Sequence, residues 1–253
     1  MPLRVLILGG TTEASLLCRA LAGDGRFAPT LSLAGRTNVP ALPPIDCRIG
    51  GYGGARGLAA YLRERGVHAL IDAVHPYAAR MSHNAVAAAA SAGVPLLALR
   101  RPAWTPVEGD KWTIVADLAA ASRALGALPR RVFLTVGRQE LGPFRDAPWH
   151  RYVVRSVDLP ASTDLPPDSV AIAARGPFDV AAEGALLAAH AIDVIVTKNA
   201  GGEAVRAKLD AARALGIAVI MTERPVKPPA ETVATADAAR RWLIARHCAL
   251  RGA

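Results

Sequence analysis

Cysteine, lysine and aromatic residues are all scarce in this 253-residue chain. Three cysteines, Cys18, Cys47 and Cys248, stand far apart with no Cys-x-x-Cys pair, which excludes a disulfide framework and a thiolate zinc site and fits reduced thiols. Aromatics make up 5% of residues and no block of five consecutive bases occurs, so neither a base-stacking platform nor a polybasic tail is visible and no nucleic-acid partner is expected. No apolar run reaches the ~18 residues of a membrane helix; the stretch 85–99 is broken by Ser91, Gly93 and Pro95. The apolar start is too short for a signal peptide and lacks a cleavage site, so a cytoplasmic protein is expected. Ser/His/Asp arrangements, metal-ligand spacings and P-loops are also missing. Their absence disfavours hydrolase, metalloenzyme and nucleotide-hydrolysing chemistry, and no metal is expected.

Arginine is plentiful. Lys and Arg number 30 against 21 acids, for a net charge of +9, and only four of the 30 are lysines. Guanidinium binds carboxylate and phosphate through paired N–H donors, so an arginine-heavy site suits a small polyanion; the other reading, a solvated arginine-rich surface, stays open. The hydrophobic fraction of 52% is swollen by alanine. Apolar runs at 5–8, 30–33, 47–49, 69–71, 95–99, 132–136, 170–173, 194–196 and 218–221 alternate with helical patterns at 12–21, 55–65, 78–92, 118–125, 178–190, 204–215 and 236–246. That alternation predicts α/β architecture with mainly parallel sheets.

The halves echo each other. Arg4-Val5 and Gly9 recur as Arg131-Val132 and Gly137, a strand ending at Asp72 before His75 recurs as one ending at Val196 before Lys198, and Gly93-Val94 with Arg101-Pro102 recurs as Gly216-Ile217 with Arg224-Pro225. Three anchors in one order at nearly one displacement predict two similar Rossmann-like units. They are placed at 1–115, the cofactor unit, and 116–253, the substrate unit, with a ligand cleft between them and a strand exchange allowed by the long central connection.

The chain opens on a short apolar strand that breaks into Gly9-Gly10-Thr11-Thr12-Glu13 and then a helix pattern. Glycines admit a ligand close to backbone, and a helix start offers unpaired N–H groups at its positive end. The spacing is a variant of the dinucleotide fingerprint, since Thr11 and Ala14 occupy later glycine positions. One βαβ step on, the second strand ends in Arg36-Thr37, where an NAD-preferring fold carries an acid; an arginine there suits a 2′-phosphate, hence NADPH. Gly51, Tyr52 and Gly53 form a second close-approach loop, with Tyr52 available to stack on a planar ring.

Ligands of open α/β sheets gather at the carboxyl ends of strands. Those ends carry Gly-Gly-Thr-x-Glu from Gly9, His75-Pro76-Tyr77, Arg175-Gly176-Pro177-Phe178 and Thr197-Lys198-Asn199. Together they resemble the precorrin-6A reductase family of cobalamin biosynthesis, over essentially the whole span 3–228. The resemblance implies NADPH-dependent reduction of one double bond of precorrin-6A, a tetrapyrrole bearing many carboxylates, to precorrin-6B. On that reading Gly9, Gly10, Thr11, Thr12, Glu13, Arg36, Thr37, Gly51, Tyr52 and Gly53 serve the cofactor. Arg138, Gln139, Arg175, Lys198, Asn199 and Gly201 serve the substrate carboxylates, and His75 or Tyr77 is the candidate proton donor. Glu13 and Glu140 sit where first-turn acids favour a helix dipole. The nearest rival is the cobalt-precorrin branch of the pathway. A sugar-nucleotide epimerase or reductase is disfavoured because the Tyr-x-x-x-Lys pair is missing: Tyr77 is followed by Met81 and Tyr52 by Arg56. A basic nucleic-acid-binding module is the remaining alternative. The oligomeric state is not readable.

Overall fold

The computed structural model describes residues 1–35 and 42–251, and they divide into two compact units, Met1–Pro102 with Pro225–Ala253, and Ala103–Arg224. The first unit opens with β1 (Leu3–Leu8), α1 (Thr12–Leu21), β2 (Phe27–Leu33), β3 (Asp46–Ile49), α2 (Ala55–Glu64), β4 (Ala69–Asp72), α3 (Ala79–Ala92) and β5 (Leu96–Leu99). The second consists of β6 (Trp112–Val115), α4 (Leu118–Ala124), β7 (Arg131–Thr135), α5 (Gly142–Arg145), β8 (Arg151–Ser156), β9 (Ser169–Ala173), α6 (Val180–Ala189), β10 (Val194–Lys198), α7 (Ala207–Leu215) and β11 (Ala218–Thr222). The chain then rejoins the first unit as β12 (Thr232–Val233) and α8 (Ala236–Arg251).

Both sheets are parallel. Their orders are β12-β5-β4-β1-β2-β3 and β6-β11-β10-β7-β8-β9. Counted outward from β1 or β7, each follows the order of a dinucleotide-binding fold, with the direction of winding reversing between β1 and β4 or between β7 and β10. The fold is therefore α/β, two Rossmann-like units. Its division differs from a single cut after residue 115: β6 lies before that point yet pairs with β11, whereas β12 pairs with β5.

Burial on both faces explains the near-continuous apolar strands. In β1, Leu3, Val5 and Ile7 face a core completed by Leu17 and Leu21 of α1 and Leu243 of α8, while Leu6 and Leu8 face Leu58 of α2 and Ala85 of α3. In the second unit, Val194 and Val196 of β10 face Phe144 of α5, and Ile195 faces Leu187 of α6 and Leu209 of α7. Each sheet thus lies between two helical layers. Local signals set the helix ends: Thr11, Asp117 and Asp179 cap α1, α4 and α6 through side-chain oxygens, and left-handed Gly93 and Gly216 close α3 and α7. Those glycines belong to the repeat anchors, and both chain crossings fall at Arg-Pro anchors, after Pro102 and after Arg224. No helix among the described residues is long and apolar enough to cross a membrane.

Candidate functional site

At the switch point of the first unit the carboxyl ends of β1 and β4 lie side by side, with Leu8 in register with Asp72. Gly9 donates its N–H to Ser32 O at 2.9 Å, and a Cβ there would meet Leu31 Cδ1 at 2.4 Å, so this glycine is required by packing against β2. Gly10 is different. Its φ is +117° and no heavy atom lies within 4 Å of where a Cβ would be, leaving an open approach to backbone. Thr11 fastens the turn at both ends: Oγ1 accepts from Ala14 N–H at 3.1 Å and donates to Ala73 O beyond β4 at 2.9 Å. The first-turn N–H groups at Thr12 and Glu13 lack intrahelical partners by position and form the positive end of α1. The Glu13 carboxylate accepts from Arg101 Nη1 at 2.9 Å, with both side chains largely buried, so only its backbone faces the approach.

Gly50, Gly53 and Gly54 have φ of +126°, +72° and +93°, and the loop they form is gripped by a residue that the sequence reading overlooked. Arg48 of β3 donates to Ser32 Oγ and Gly50 O at 3.0 Å and to Gly51 O at 3.1 Å, and its guanidinium lies 3.9 Å from the Tyr52 ring centroid. Tyr52 donates its hydroxyl to Ser32 Oγ at 2.8 Å and packs edge-on against Tyr61; burial pushes its phenol pKa up. Tyr52 is therefore already stacked, on Arg48, and acts as a fastener of the loop. The signal for Arg48 was a base at a strand end two residues before the glycine run. Arg36 and Thr37 lie outside the described residues.

The β4 end continues into His75-Pro76-Tyr77, half-buried. Tyr77 N–H donates to His75 Nδ1 at 3.2 Å, and the two rings are 5.8 Å apart. Buried Asp72 accepts from Val74 N–H at 3.4 Å through Oδ1, holding the start of this turn.

At the switch point of the second unit, Glu140 gathers the groups. Its Oε2 accepts from Gly137 N–H at 3.0 Å and pairs with Lys198 Nζ, and a Cβ at Gly137 would lie 2.6 Å from that oxygen, so a larger residue there would push the carboxylate aside. Arg138, Lys198, Asn199 and exposed Gln139 thus share the ends of β7 and β10, and Arg138 stands 3.9 Å from Asp158. Exposed Arg175 follows β9, two strands from β7, or about 10 Å along the sheet edge. Asn199 plays a structural part, since its amide accepts from Trp104 N–H at 2.8 Å and donates to Trp104 O at 2.9 Å. Trp104 Nε1 in turn donates to Gly202 O at 3.2 Å, bracing the Gly201–Gly202 turn, where φ is +67° and +80°.

The Arg175–Phe178 turn rests on a buried ion pair that the sequence did not announce. Arg155 and Glu183 form a two-pronged bridge, with Nη2 to Oε2 at 2.9 Å, and side-chain exposures of 5% and 3%. The guanidinium lies 3.8 Å from the Phe178 ring centroid and 4.9 Å from that of Phe133. Among the described residues no group of three or more His, Cys, Asp or Glu is placed to hold a metal ion.

The profile of the family described as precorrin-6x reductase CbiJ/CobK matches residues 4–244. A precorrin-6A reductase from Sinorhizobium sp is 54% identical over 237 residues, covering 93% of this chain and 90% of that one. A solved structure titled CobK precorrin-6A reductase superposes with a TM-score of 0.92 at 50% identity, covering 97% of each chain. A cobalt-precorrin-6A reductase from Priestia megaterium is 28% identical over 232 residues, covering 87% of this chain and 90% of that one.

Proposed function

This chain belongs to the precorrin-6x reductase family, and from that premise we propose that it reduces one double bond of precorrin-6A with a hydride from NADPH, giving precorrin-6B in cobalamin biosynthesis. The observation that carries the cofactor part is the turn between β1 and α1. Gly10 leaves its backbone open, Thr11 holds the turn rigidly to the end of β4, and a helix start presents N–H donors beside it, a combination that fits a dinucleotide pyrophosphate. NADPH supplies the hydride when bound. Gly10 through Glu13 would hold its phosphates by backbone, with Gly9 letting the turn pack against β2; Gly51 and Gly53 border the second loop, Tyr52 shapes that loop from within, and Arg36 with Thr37 would take the 2′-phosphate.

Arg138, Gln139, Lys198, Arg175 and the Gly201 turn bind substrate carboxylates, each charged hydrogen bond contributing about 1.5–3 kcal/mol. Glu140 keeps Lys198 in place, and Asn199 acts through Trp104 as a positioning residue. His75 and Tyr77 are the candidate proton donors, and because Nδ1 of His75 accepts from Tyr77 N–H, Nε2 is the His75 nitrogen that would exchange a proton. The higher identity to a precorrin-6A reductase than to a cobalt-precorrin relative favours the metal-free substrate.

The test is the anaerobic loss of NADPH absorbance on mixing with precorrin-6A, with cobalt-precorrin-6A and NADH in parallel. Enzyme-dependent, stoichiometric oxidation of NADPH by the metal-free substrate is expected; preference for the cobalt form would reverse the assignment. Arg36→Ala is expected to weaken NADPH binding about tenfold or more while sparing NADH, and equal losses for both cofactors would remove the 2′-phosphate role.

A further inference from the structure

The internal repeat allows the amino ends of the two sheets to be compared residue by residue. Arg4 N–H donates to His68 Nδ1 at 3.0 Å while His68 N–H returns to Arg4 O at 2.8 Å; Arg131 N–H donates to Asp193 Oδ2 at 2.7 Å while Asp193 N–H returns to Arg131 O at 2.9 Å. Beside these, α2 and α6 close in the same way. Gly66 follows α2 with φ +55° and Val67 N–H bonds to Leu62 O; Ala191 follows α6 with φ +47° and Ile192 N–H bonds to Leu187 O, both bonds at 2.9 Å. Arg131 is thus the counterpart of Arg4, and Ala191 of Gly66.

The side chains part company at this point. In the first unit Arg4 folds over the helix end, with Nε donating to Gly66 O at 2.8 Å, and a Cβ on Gly66 would lie 2.6 Å from Arg4 Nη2. In the second unit that Cβ exists, so Arg131 is denied the same pose. Its guanidinium has no hydrogen bond or ion pair among the described residues, and a cavity of about 430 Å³ opens there, lined by Arg131, Arg151, Asp168, Val170, His190 and Ala191 among others. Arg151 is the register partner of Arg131 on β8, so the two bases start on adjacent strands about 4.8 Å apart. Among the described residues the Asp168 carboxylate takes Arg151 Nε, at 3.0 Å, and the Asp193 carboxylate accepts from the Arg131 backbone. Asp168 and Ala191, both at φ +47°, are the two non-glycine residues with positive φ among those described. Such a conformation is costly for alanine and tolerated by aspartate, and both residues line this one cavity.

We propose that this cavity is a second binding site, at the opposite end of the strands from Lys198 and Gly201, for a small molecule that presents a phosphate or carboxylate to Arg131 and Arg151 and an apolar body to Val170 and Ala189. Its volume falls within the ~300–1,000 Å³ of small-molecule sites, and paired guanidiniums on neighbouring strands suit a two-pronged oxyanion. Asp168 orients Arg151 and leaves its terminal nitrogens to the ligand.

The experiment is an amide chemical-shift titration of the full chain with inorganic phosphate and, separately, succinate. Saturable shifts at Arg131, Arg151 and Ala191 are expected with at least one probe, phosphate alone marking a phosphorylated ligand and succinate alone a carboxylate. Arg131→Gln is expected to weaken binding about tenfold or more. Ala191→Gly is expected to weaken it too, by giving Arg131 room to fold back as Arg4 does, in a protein whose backbone suits glycine at that position. Absence of saturable shifts with either probe, or affinity retained in Arg131→Gln, overturns the site.

Discussion

A methyl group at position 57 would sit 1.7 Å from the Tyr52 carbonyl oxygen, and the obstacle is backbone, which cannot swing aside as a side-chain tip does. Gly57→Ala is therefore expected to destabilise the first unit by about 1–3 kcal/mol and to displace the Tyr52 loop, seen as a lower urea midpoint together with weaker NADPH binding. The sequence offered no reason to single out this glycine, because its constraint comes from a carbonyl five residues earlier that meets it only once α2 is formed. The same limit applies to Asn199, whose partner Trp104 is 95 residues away, and to Tyr52, whose stacking partner Arg48 is visible only once β3 is placed. Two histidines add a pH dependence. Burial lowers the pKa of His68, helped by Arg4, and burial likewise lowers that of His150, which accepts from Arg130 N–H through Nδ1. Each lowered pKa favours the neutral ring in the folded state relative to the unfolded chain. As pH falls through the ordinary histidine value of about 6.5 the unfolded chain takes up protons first, so stability that is full above that value is lost below it. Denaturation midpoints should drop between about pH 7.5 and about pH 5.5, and His150→Asn, whose side-chain oxygen can replace Nδ1, should flatten the drop.

Helices were the most legible elements. The expected range 12–21 coincides with α1, because Thr11 supplies the cap and the alanine-leucine pattern runs unbroken to the following Gly23. Strands of uniform apolar character were equally plain, whereas β6, β8 and β12 escaped notice for separate reasons. Thr232–Val233 is too short to carry a pattern, Trp112–Val115 is an edge strand after a proline-rich stretch, and Arg151–Ser156 hides a buried arginine whose neutralising Glu183 lies on a helix 28 residues on. Expected α6 began at 178, but the Asp179 carboxylate takes the N–H groups of Ala181 and Ala182 at 2.9 and 3.1 Å and so starts the helix at Val180. Asp179→Ala should cost about 1 kcal/mol in global stability. It should also loosen the adjoining turn that carries Arg175, raising KM for precorrin-6A more than it changes kcat.

At the scale of the whole molecule, the recurrence of the Arg-Val start, of a strand end before His75 and Lys198, and of the glycine and Arg-Pro turns was enough to infer two related units, and the strand orders account for it. What those pairs did not disclose is that the second unit is continuous in sequence and the first is not. Residues 103–224 hold both faces of their sheet within one stretch, so that fragment is expected to unfold cooperatively when expressed alone. A fragment ending at residue 102 lacks Ala239 and Leu243, which complete the core over α1. It should show no cooperative transition until a peptide spanning 225–251 is added. Thermal melts of the two fragments, with and without that peptide, check both expectations.

The docking of α8 on α1 also sets an order of events on the ribosome. The side chains of Leu17, Cys18 and Leu21 are made early, yet the helix that covers them is not synthesised until the intervening unit has been. At about 5–20 residues per second, the apolar back of α1 stays uncovered for roughly 10–45 s of translation, long enough for the enclosed unit to fold first. Nascent chains stalled between residues 103 and 235 should therefore be the ones that holdase chaperones engage.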